Sequence, residues 1–161
     1  MQFQQLYPEA VIQPVRGNVL TRLEKLDSGE YGALILAEAG LKRLGLSDRI
    51  AYRFSPEELV PAAGQGILAI QTRAGEYADL LARLNSPDGA LCAKTERQLA
   101  SLLGGDCSAP VGCHAQLHGT DMTLYGFSGI GGVPRYGSVQ GNRNDADLLV
   151  QQLASKLTIT E

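Results

Sequence analysis

Hydrophobic and polar positions alternate in the first half of the chain in the order of strands followed by helices. Apolar stretches at residues 10–15 and 33–37 have the length of strands, and helical patterns follow them at residues 19–26 and 41–44. Asn18 is the predicted N-cap of the first helix, because its side-chain oxygen can accept a free N–H of the first turn. The alternation predicts an α/β region in which helices pack on a parallel or mixed sheet.

The pattern changes after the segment SPEELVPAAGQG at residues 55–66, which is rich in proline and glycine. From Ser86, a predicted N-cap with Pro87 behind it, the sequence predicts a helix, three strands separated by glycine-rich turns, and a final helix. The strands are predicted at residues 115–117, 122–127 and 133–139. The predicted buried faces of the two helices are Leu91, Leu99, Leu102 and Leu103 in the first, and Leu149, Val150, Leu153 and Leu157 in the second.

Composition and charge exclude several classes of function. The 161 residues carry a net charge of −3, with a pI near 5.4, so the chain lacks the basic field of a nonspecific nucleic-acid binder. The sequence shows no apolar run of membrane-spanning length and no signal-peptide pattern, so we expect a cytoplasmic protein without a membrane partner. The three cysteines are an odd number, which favours reduced thiols over a disulfide framework.

Basic residues flank the first two predicted helices. Arg16 and Arg22 bracket the start of the first helix, where free N–H groups and the helix dipole favour an anion. Arg43 and its neighbour Lys42 lie at the end of the second. Arginine can hold a carboxylate through two parallel hydrogen bonds. The spacing alone favours the simpler interpretation that all four residues are solvated surface charges.

Cys107 lies in the sequence LLGGDCSAPVGCHAQL, between two glycines and a proline, and is predicted on an exposed loop. Three interpretations remain open from the residues alone. Cys107 could join Cys113, His114 and His118 in a metal site, although the spacing matches no common zinc framework. It could be an activated nucleophile, although the adjacent Asp106 disfavours the thiolate, or it could fill a turn as a small apolar residue. Cys92 and Cys113 are best explained as core residues.

Three stretches of the sequence together resemble the porphobilinogen deaminase (hydroxymethylbilane synthase) family. They are VRGNVLTRLEKLDSGEYGALILAEAGLKRLGL, PAAGQGILAIQTR and LGGDCSAPVGCHA, in the family's order and with roughly its spacing. The resemblance covers nearly the whole chain, and its blocks are long and independent of one another. It implies tetrapyrrole biosynthesis by a transferase that polymerises four porphobilinogen molecules into hydroxymethylbilane on a cysteine-linked dipyrromethane primer.

The resemblance also implies roles for individual residues. Cys107 would hold the dipyrromethane cofactor through a thioether, and Arg16, Arg22 and Arg43 would bind the carboxylates of the cofactor and of the growing oligopyrrole. The family's catalytic aspartate belongs to a first domain that this sequence does not contain, so no catalytic residue and no metal ligand is assigned here. Gln71 stands where the family commonly has glutamate.

The implied architecture is a partial periplasmic-binding-protein-like α/β domain followed by a small α+β domain, in which helices cover one face of a three-stranded antiparallel sheet. The expected domains are residues 1–66, a crossing segment at 67–85 whose apolar run 67–70 would form an edge strand, and a cofactor-anchoring domain at 86–161. We expect the missing N-terminal half or a second copy of the chain as partner. The alternative function is a non-catalytic binding module, or a complementing subunit, for small polycarboxylate or pyrrole ligands.

Overall fold

The computed structural model describes residues 1–105 and 108–158, which form two compact units. One unit is Phe3–Phe54, and the other consists of Met1–Gln2 and the described residues from Ser55 onward. The elements, in chain order, are helices α1 (Gln2–Leu6), α2 (Val19–Asp27), α3 (Glu38–Arg43), α4 (Ala78–Leu84) and α5 (Pro87–Leu102), strands β1 (Val111–His118), β2 (Asp121–Ser128) and β3 (Arg135–Asn142), and helix α6 (Ala146–Leu157). Short 3-10 turns lie at Ser47–Arg49, Ile130–Gly132 and Arg143–Asp145.

Helix α2 forms where the sequence predicted it, because local hydrogen bonds close both of its ends. The Asn18 side-chain oxygen accepts a hydrogen bond from the N–H of Thr21 at 2.9 Å, which confirms the predicted N-cap. After the helix, Gly29 adopts a φ of +80° and donates its N–H to the carbonyl of Leu26 at 3.0 Å. Leu23 is the buried residue of this helix, so α2 presents a narrow apolar face to its unit.

The strands predicted at residues 10–15 and 33–37 are not formed, which corrects the α/β interpretation of the first half. Among the described residues, every strand lies between Val111 and Asn142. An extended segment becomes a strand only where a neighbouring strand exchanges backbone hydrogen bonds with it, and the Phe3–Phe54 unit contains no such neighbour in its described residues. Helix α3 does form, but it begins three residues before the predicted range 41–44.

The three strands predicted in the second half form one antiparallel sheet in the order β1–β2–β3. A two-residue turn joins β1 to β2, since His118 pairs with Asp121. Gly119 in that turn has a φ of +64°, a conformation that glycine adopts without steric cost. Helices α5 and α6 pack on one face of the sheet, as expected, and the resulting architecture is α+β.

Three glycines on the covered face of the sheet allow α6 to approach it closely. A Cβ atom at these positions would lie between 2.5 and 3.0 Å from a leucine side chain of α6. The glycine and leucine pairs are Gly126 with Leu157, Gly137 with Leu153, and Gly141 with Leu149. The leucines recur every four residues, so they form one stripe on the helix. All three are buried, which confirms the apolar face predicted for this helix.

The buried face of α5 is confirmed at three of the four predicted leucines. Leu99 and Leu103 are buried and Leu91 packs against the core, whereas Leu102 is 45% exposed and was wrongly placed in the interior. The buried side advances in steps of four residues, from Leu91 through Thr95 to Leu99 and Leu103. Leu102 lies beside this line, where the sheet does not cover it.

Apolar residues of the segment 67–85 remain uncovered. The run at 67–70, expected as an edge strand, is not assigned as a strand, and Ile67, Leu68 and Ile70 are 38%, 82% and 59% exposed. Helix α4 has no buried residue. Within residues 1–105 and 108–158, no helix is long and apolar enough to cross a membrane.

Candidate functional site

The start of α2 brings two of the predicted arginines to one helix end. Arg22 lies in the first turn of the helix, and its Nε donates a hydrogen bond to the carbonyl oxygen of Gly17 at 2.8 Å. This bond folds the Arg22 side chain back toward Arg16, the residue before Gly17, and Arg16 is exposed. The N–H groups of the first turn that no cap satisfies lie at the same end. The arrangement concentrates positive charge at the N-terminus of α2.

Helix α3 places the third predicted arginine in the same unit. Helix α3 lies against the beginning of α2 at Gly40, where a Cβ would be at ordinary contact distance, 3.6 Å, from the Val19 side chain. Arg43 lies three residues after Gly40, and therefore one turn further along the same side of α3. Arg43 is exposed, and none of the ion pairs within the described residues includes it.

The neighbouring lysine is engaged differently from Arg43. Lys42 Nζ lies 2.9 Å from a carboxylate oxygen of Glu38, and the same oxygen accepts a hydrogen bond from Arg53 Nε at 2.7 Å. Both contacts lower the pKa of the Glu38 carboxyl, and the hydrogen bond from Arg53 has the larger effect. Glu38 thus occupies Lys42 and Arg53, while Arg16 and Arg43 stay available for an external anion.

This donor set fits a ligand that carries carboxylates. Guanidinium groups bind carboxylates in a fork geometry, and unneutralised cations at a helix N-terminus attract anions without a metal ion. Arg22 uses Nε for Gly17, which leaves its terminal nitrogens for a ligand. Arg16, Arg22 and Arg43 could therefore hold the acetate and propionate groups of a dipyrromethane cofactor, as the resemblance implies.

Cys107 and its neighbour Asp106 lie outside the described residues, but the preceding glycines have a clear structural role. Helix α5 ends in a Schellman motif: Gly105 N–H bonds to the carbonyl of Ala100 at 2.8 Å, and Gly104 N–H to that of Ser101 at 3.1 Å. Gly104 has a φ of +71°, and a Cβ on Gly105 would lie 2.9 Å from the Ala100 oxygen. The two glycines stop the helix and direct the chain into the cysteine loop.

The far side of the cysteine loop is fixed to the sheet. The carbonyl of Pro110 accepts a hydrogen bond from the N–H of Gly129 at 2.8 Å, and β1 begins at the next residue. Both flanks of the loop are thus anchored on one unit, at the end of α5 and at the start of β1. A thiol at position 107 is carried by the well-packed sheet domain, whatever its own conformation.

The other two cysteines are core residues, as predicted. Cys113 is fully buried, and burial, together with the charge of Glu96, raises the pKa of its thiol to about 12. Cys92 packs against the same core, and its pKa is also raised, first by burial. His114 points away from the core that contains Cys113, as strand alternation requires. In the part of the chain that the structure describes, no group of three or more potential metal ligands lies together.

Sequence reasoning missed Glu96, a buried carboxylate on α5 with 3% exposure. One carboxylate oxygen accepts a hydrogen bond from Gly64 N–H at 2.7 Å, and the other accepts one from Ala115 N–H at 2.9 Å. Nδ1 of His114 lies 3.4 Å from the second oxygen. A signal was present, since Glu96 lies beside the predicted buried face of the helix, three residues before Leu99, and a buried glutamate must have polar partners.

Two family models match the chain. The family model described as porphobilinogen deaminase, dipyromethane cofactor binding domain, matches residues 1–80, which include the three arginines. The model of the porphobilinogen deaminase C-terminal domain matches residues 90–158, which include position 107. The two matches together cover almost the whole chain.

Curated relatives point to the same family. The porphobilinogen deaminase of Chromobacterium violaceum is 47% identical over 155 residues, which are 94% of this chain and 50% of the relative. That of Thiobacillus denitrificans is 45% identical, over 94% of this chain and 51% of the relative. The porphobilinogen deaminase of Ruminiclostridium josui is 42% identical over 98% of this chain and 55% of the relative.

The fold and the site define an α+β protein with a cationic surface suited to carboxylate ligands. The chain belongs to the porphobilinogen deaminase family: residues 1–80 match the model of its cofactor-binding domain, and residues 90–158 match that of its C-terminal domain. It spans about half the length of the curated relatives that it matches.

Proposed function

We propose that this chain is the cofactor-holding half of a porphobilinogen deaminase and acts in tetrapyrrole biosynthesis. The observation that carries the proposal is the pair of exposed arginines, Arg16 and Arg43, which the acidic residues of their unit leave unneutralised while Glu38 engages the adjacent Lys42. Carboxylates of porphobilinogen and of the growing oligopyrrole supply the missing counter-charge. The cytoplasm is the proposed location.

Cys107 is the proposed point of covalent attachment for the dipyrromethane. When bound, this group would supply the pyrrole ring to which the first porphobilinogen unit is joined, and later units would extend the chain from its free end. The chain's own contributions are attachment and charge: a loop held at both ends carries the thiol, and Arg16, Arg22 and Arg43 orient the carboxylates. Proton transfer would depend on the aspartate of the family's first domain, so the full activity requires the remaining family length.

The remaining family length is also the proposed partner of the exposed apolar surfaces. With it present, residues 1–66 would complete a periplasmic-binding-protein-like α/β domain, because the extended segments 10–15 and 33–37 would gain neighbouring strands. The apolar run 67–70 would enter a sheet in the same way, within the proposed crossing segment 67–85. The cofactor-anchoring domain would then be residues 86–161. A second copy of the chain is the alternative partner, and measurement of the oligomeric state separates the two.

Attachment is tested by the intact mass of the chain purified from a haem-producing host together with an N-terminal half from a relative. We expect an added mass of one dipyrromethane, which disappears in Cys107→Ala. Cys92→Ala is the matched control and should retain the addition. A modified Cys107→Ala protein would overturn the assignment of the anchor.

Activity is tested with the same pair of chains, by following bilane formation from porphobilinogen. Arg43→Ala should weaken porphobilinogen use by about tenfold or more, the effect of one lost charge-assisted contact, and Arg49→Ala serves as the matched surface control. No bilane from a folded, cofactor-loaded pair would overturn the proposed activity. Binding of pyrrole carboxylates without turnover would favour a non-catalytic binding module.

A further inference from the structure

Residues 60–64 are fixed to the sheet just before the chain enters the segment 67–85. The carbonyl of Pro61 accepts a hydrogen bond from Cys113 N–H at 2.8 Å, and Gly64 N–H is bound by Glu96 at 2.7 Å. Val60 is buried and packs closely against β1, since a Cβ on Gly112 would lie 2.6 Å from the Val60 carbonyl oxygen. Residues 60–64 are therefore part of the packed unit.

Glu96 connects three elements that are distant in sequence. Its backbone belongs to α5, one of its oxygens binds Ala115 in β1, and the other binds Gly64 in the turn. The carboxylate is almost completely buried, and a charge in such a place is tolerated only when hydrogen-bond donors surround it. Here the donors are two backbone N–H groups, with His114 Nδ1 at 3.4 Å.

Directly after Gly64, the chain loses its packing against the sheet unit. Gly64 and Gly66 have φ values of +77° and +84°, and a Cβ on either would meet no atom within 4 Å. From Gly66 to Gln71 every residue is exposed. The change from packed to exposed residues therefore falls within residues 64–66, directly after the Glu96 contact.

We propose that Glu96 is a positioning residue, which makes the turn 60–64, α5 and β1 one rigid body and confines the pivot of the following segment to residues 64–66. The flanks of the cysteine loop belong to this body, since the loop leaves α5 and enters β1. The segment 67–85 would therefore move about this pivot and leave the flanks of the Cys107 anchor in place only while the Glu96 contact is intact.

The substitution Glu96→Gln tests this directly because an amide has only one acceptor oxygen. Of the two N–H groups that face residue 96, one must lose its partner. The bond to Ala115 is buried, whereas that to Gly64 is partly buried and its N–H can reach water at lower cost. We expect the amide hydrogen exchange of Gly64 to rise on the order of tenfold while that of Ala115 stays protected.

Glu24→Gln, which removes a carboxylate on the exposed face of α2, is the control and should leave both exchange rates unchanged. Unaltered exchange at Gly64 in Glu96→Gln would overturn the proposal. Equal loss of protection at Gly64 and throughout β1 would also overturn it, because Glu96 would then stabilise the core without a specific role at the turn.

A second measurement rests on the proposed function and uses the chain paired with the N-terminal half of a relative. Glu96→Gln should lower kcat on the order of tenfold, because the anchor is less well placed, and should leave KM for porphobilinogen unchanged because the arginines are untouched. A change confined to KM would contradict the positioning role. If the unmodified pair makes no bilane, the proposed function fails, and the exchange experiment still decides the role of Glu96.

Discussion

The two compact units differ in how completely they satisfy their own backbone and apolar surface. In the unit that contains the sheet, three strands pair with one another and two helices cover one face with buried leucines. In the Phe3–Phe54 unit, the buried apolar residues are Leu23 and Leu41, and its extended segments have no strand beside them in the described residues. The strands of one unit exchange their hydrogen bonds within the unit, whereas the extended segments of the other form no strand pair among the described residues.

In the proposed function, this difference would correspond to a division of labour. The proposed anchor, Cys107, lies in the sequence between α5 and β1 of the well-packed unit, where a covalent link would have a fixed base. The arginines lie on the sparsely packed unit, where exposed guanidinium groups could follow the carboxylates of a lengthening ligand. A region with few buried contacts also opens more easily.

The largest expected effect follows from truncating Leu153, the leucine of α6 that packs against Gly126 and Gly137 of the sheet. Leu153→Ala removes a fully buried side chain and should destabilise the sheet unit by about 2–5 kcal/mol, the usual cost of such a cavity. Leu148→Ala is the matched control, because Leu148 is 57% exposed on the same helix. Hydrogen exchange should show faster opening of the strands and little change in α2. Equal loosening of both units would contradict the contrast drawn here.

An intermediate effect is expected at the N-cap of α2. Asn18→Ala leaves the Thr21 N–H without its acceptor and should cost about 1 kcal/mol. Asn18→Asp should retain most of the stability, because aspartate caps a helix equally well. The measurement is the exchange protection of α2 relative to α6. Protection of α6 should not change, and a loss there would mean that the sheet unit depends on this helix.

The sequence predicted the sheet unit well because each of its signals is local. Ser86 and Pro87 mark a helix start, glycine-rich turns separate the strands, and the leucine stripe of α6 follows from spacing alone. The prediction of strands in the first half was wrong for a physical reason. An apolar run favours an extended conformation, but the segment becomes a strand only when a neighbouring strand exchanges backbone hydrogen bonds with it. The exposed Leu102 shows a second limit of sequence prediction. The spacing of apolar residues does not reveal which part of a wide apolar helix face the sheet will cover.

The candidate site was predictable to a similar degree. The charges of Arg16, Arg22 and Arg43 were visible in the sequence, and the resemblance gave them a role. The hydrogen bond from Arg53 to Glu38 was not predictable, because the two residues lie fifteen positions apart in the sequence. Glu96 likewise binds Gly64 and Ala115 through the tertiary fold. Contacts of this kind depend on packing and have no fixed spacing.

The smallest expected effect concerns an ion pair on the surface of the Phe3–Phe54 unit. Two guanidinium nitrogens of Arg49 contact the two carboxylate oxygens of Asp27, and both side chains are substantially exposed. Exposed pairs contribute about 0–1 kcal/mol, so Asp27→Asn should lower the stability of this unit by less than Asn18→Ala does. Asp48→Asn removes an equal charge beside the pair and corrects for the change in net charge. A cost above that of the N-cap would show that this unit, with its small core, depends on polar contacts at the end of α2 more than on burial.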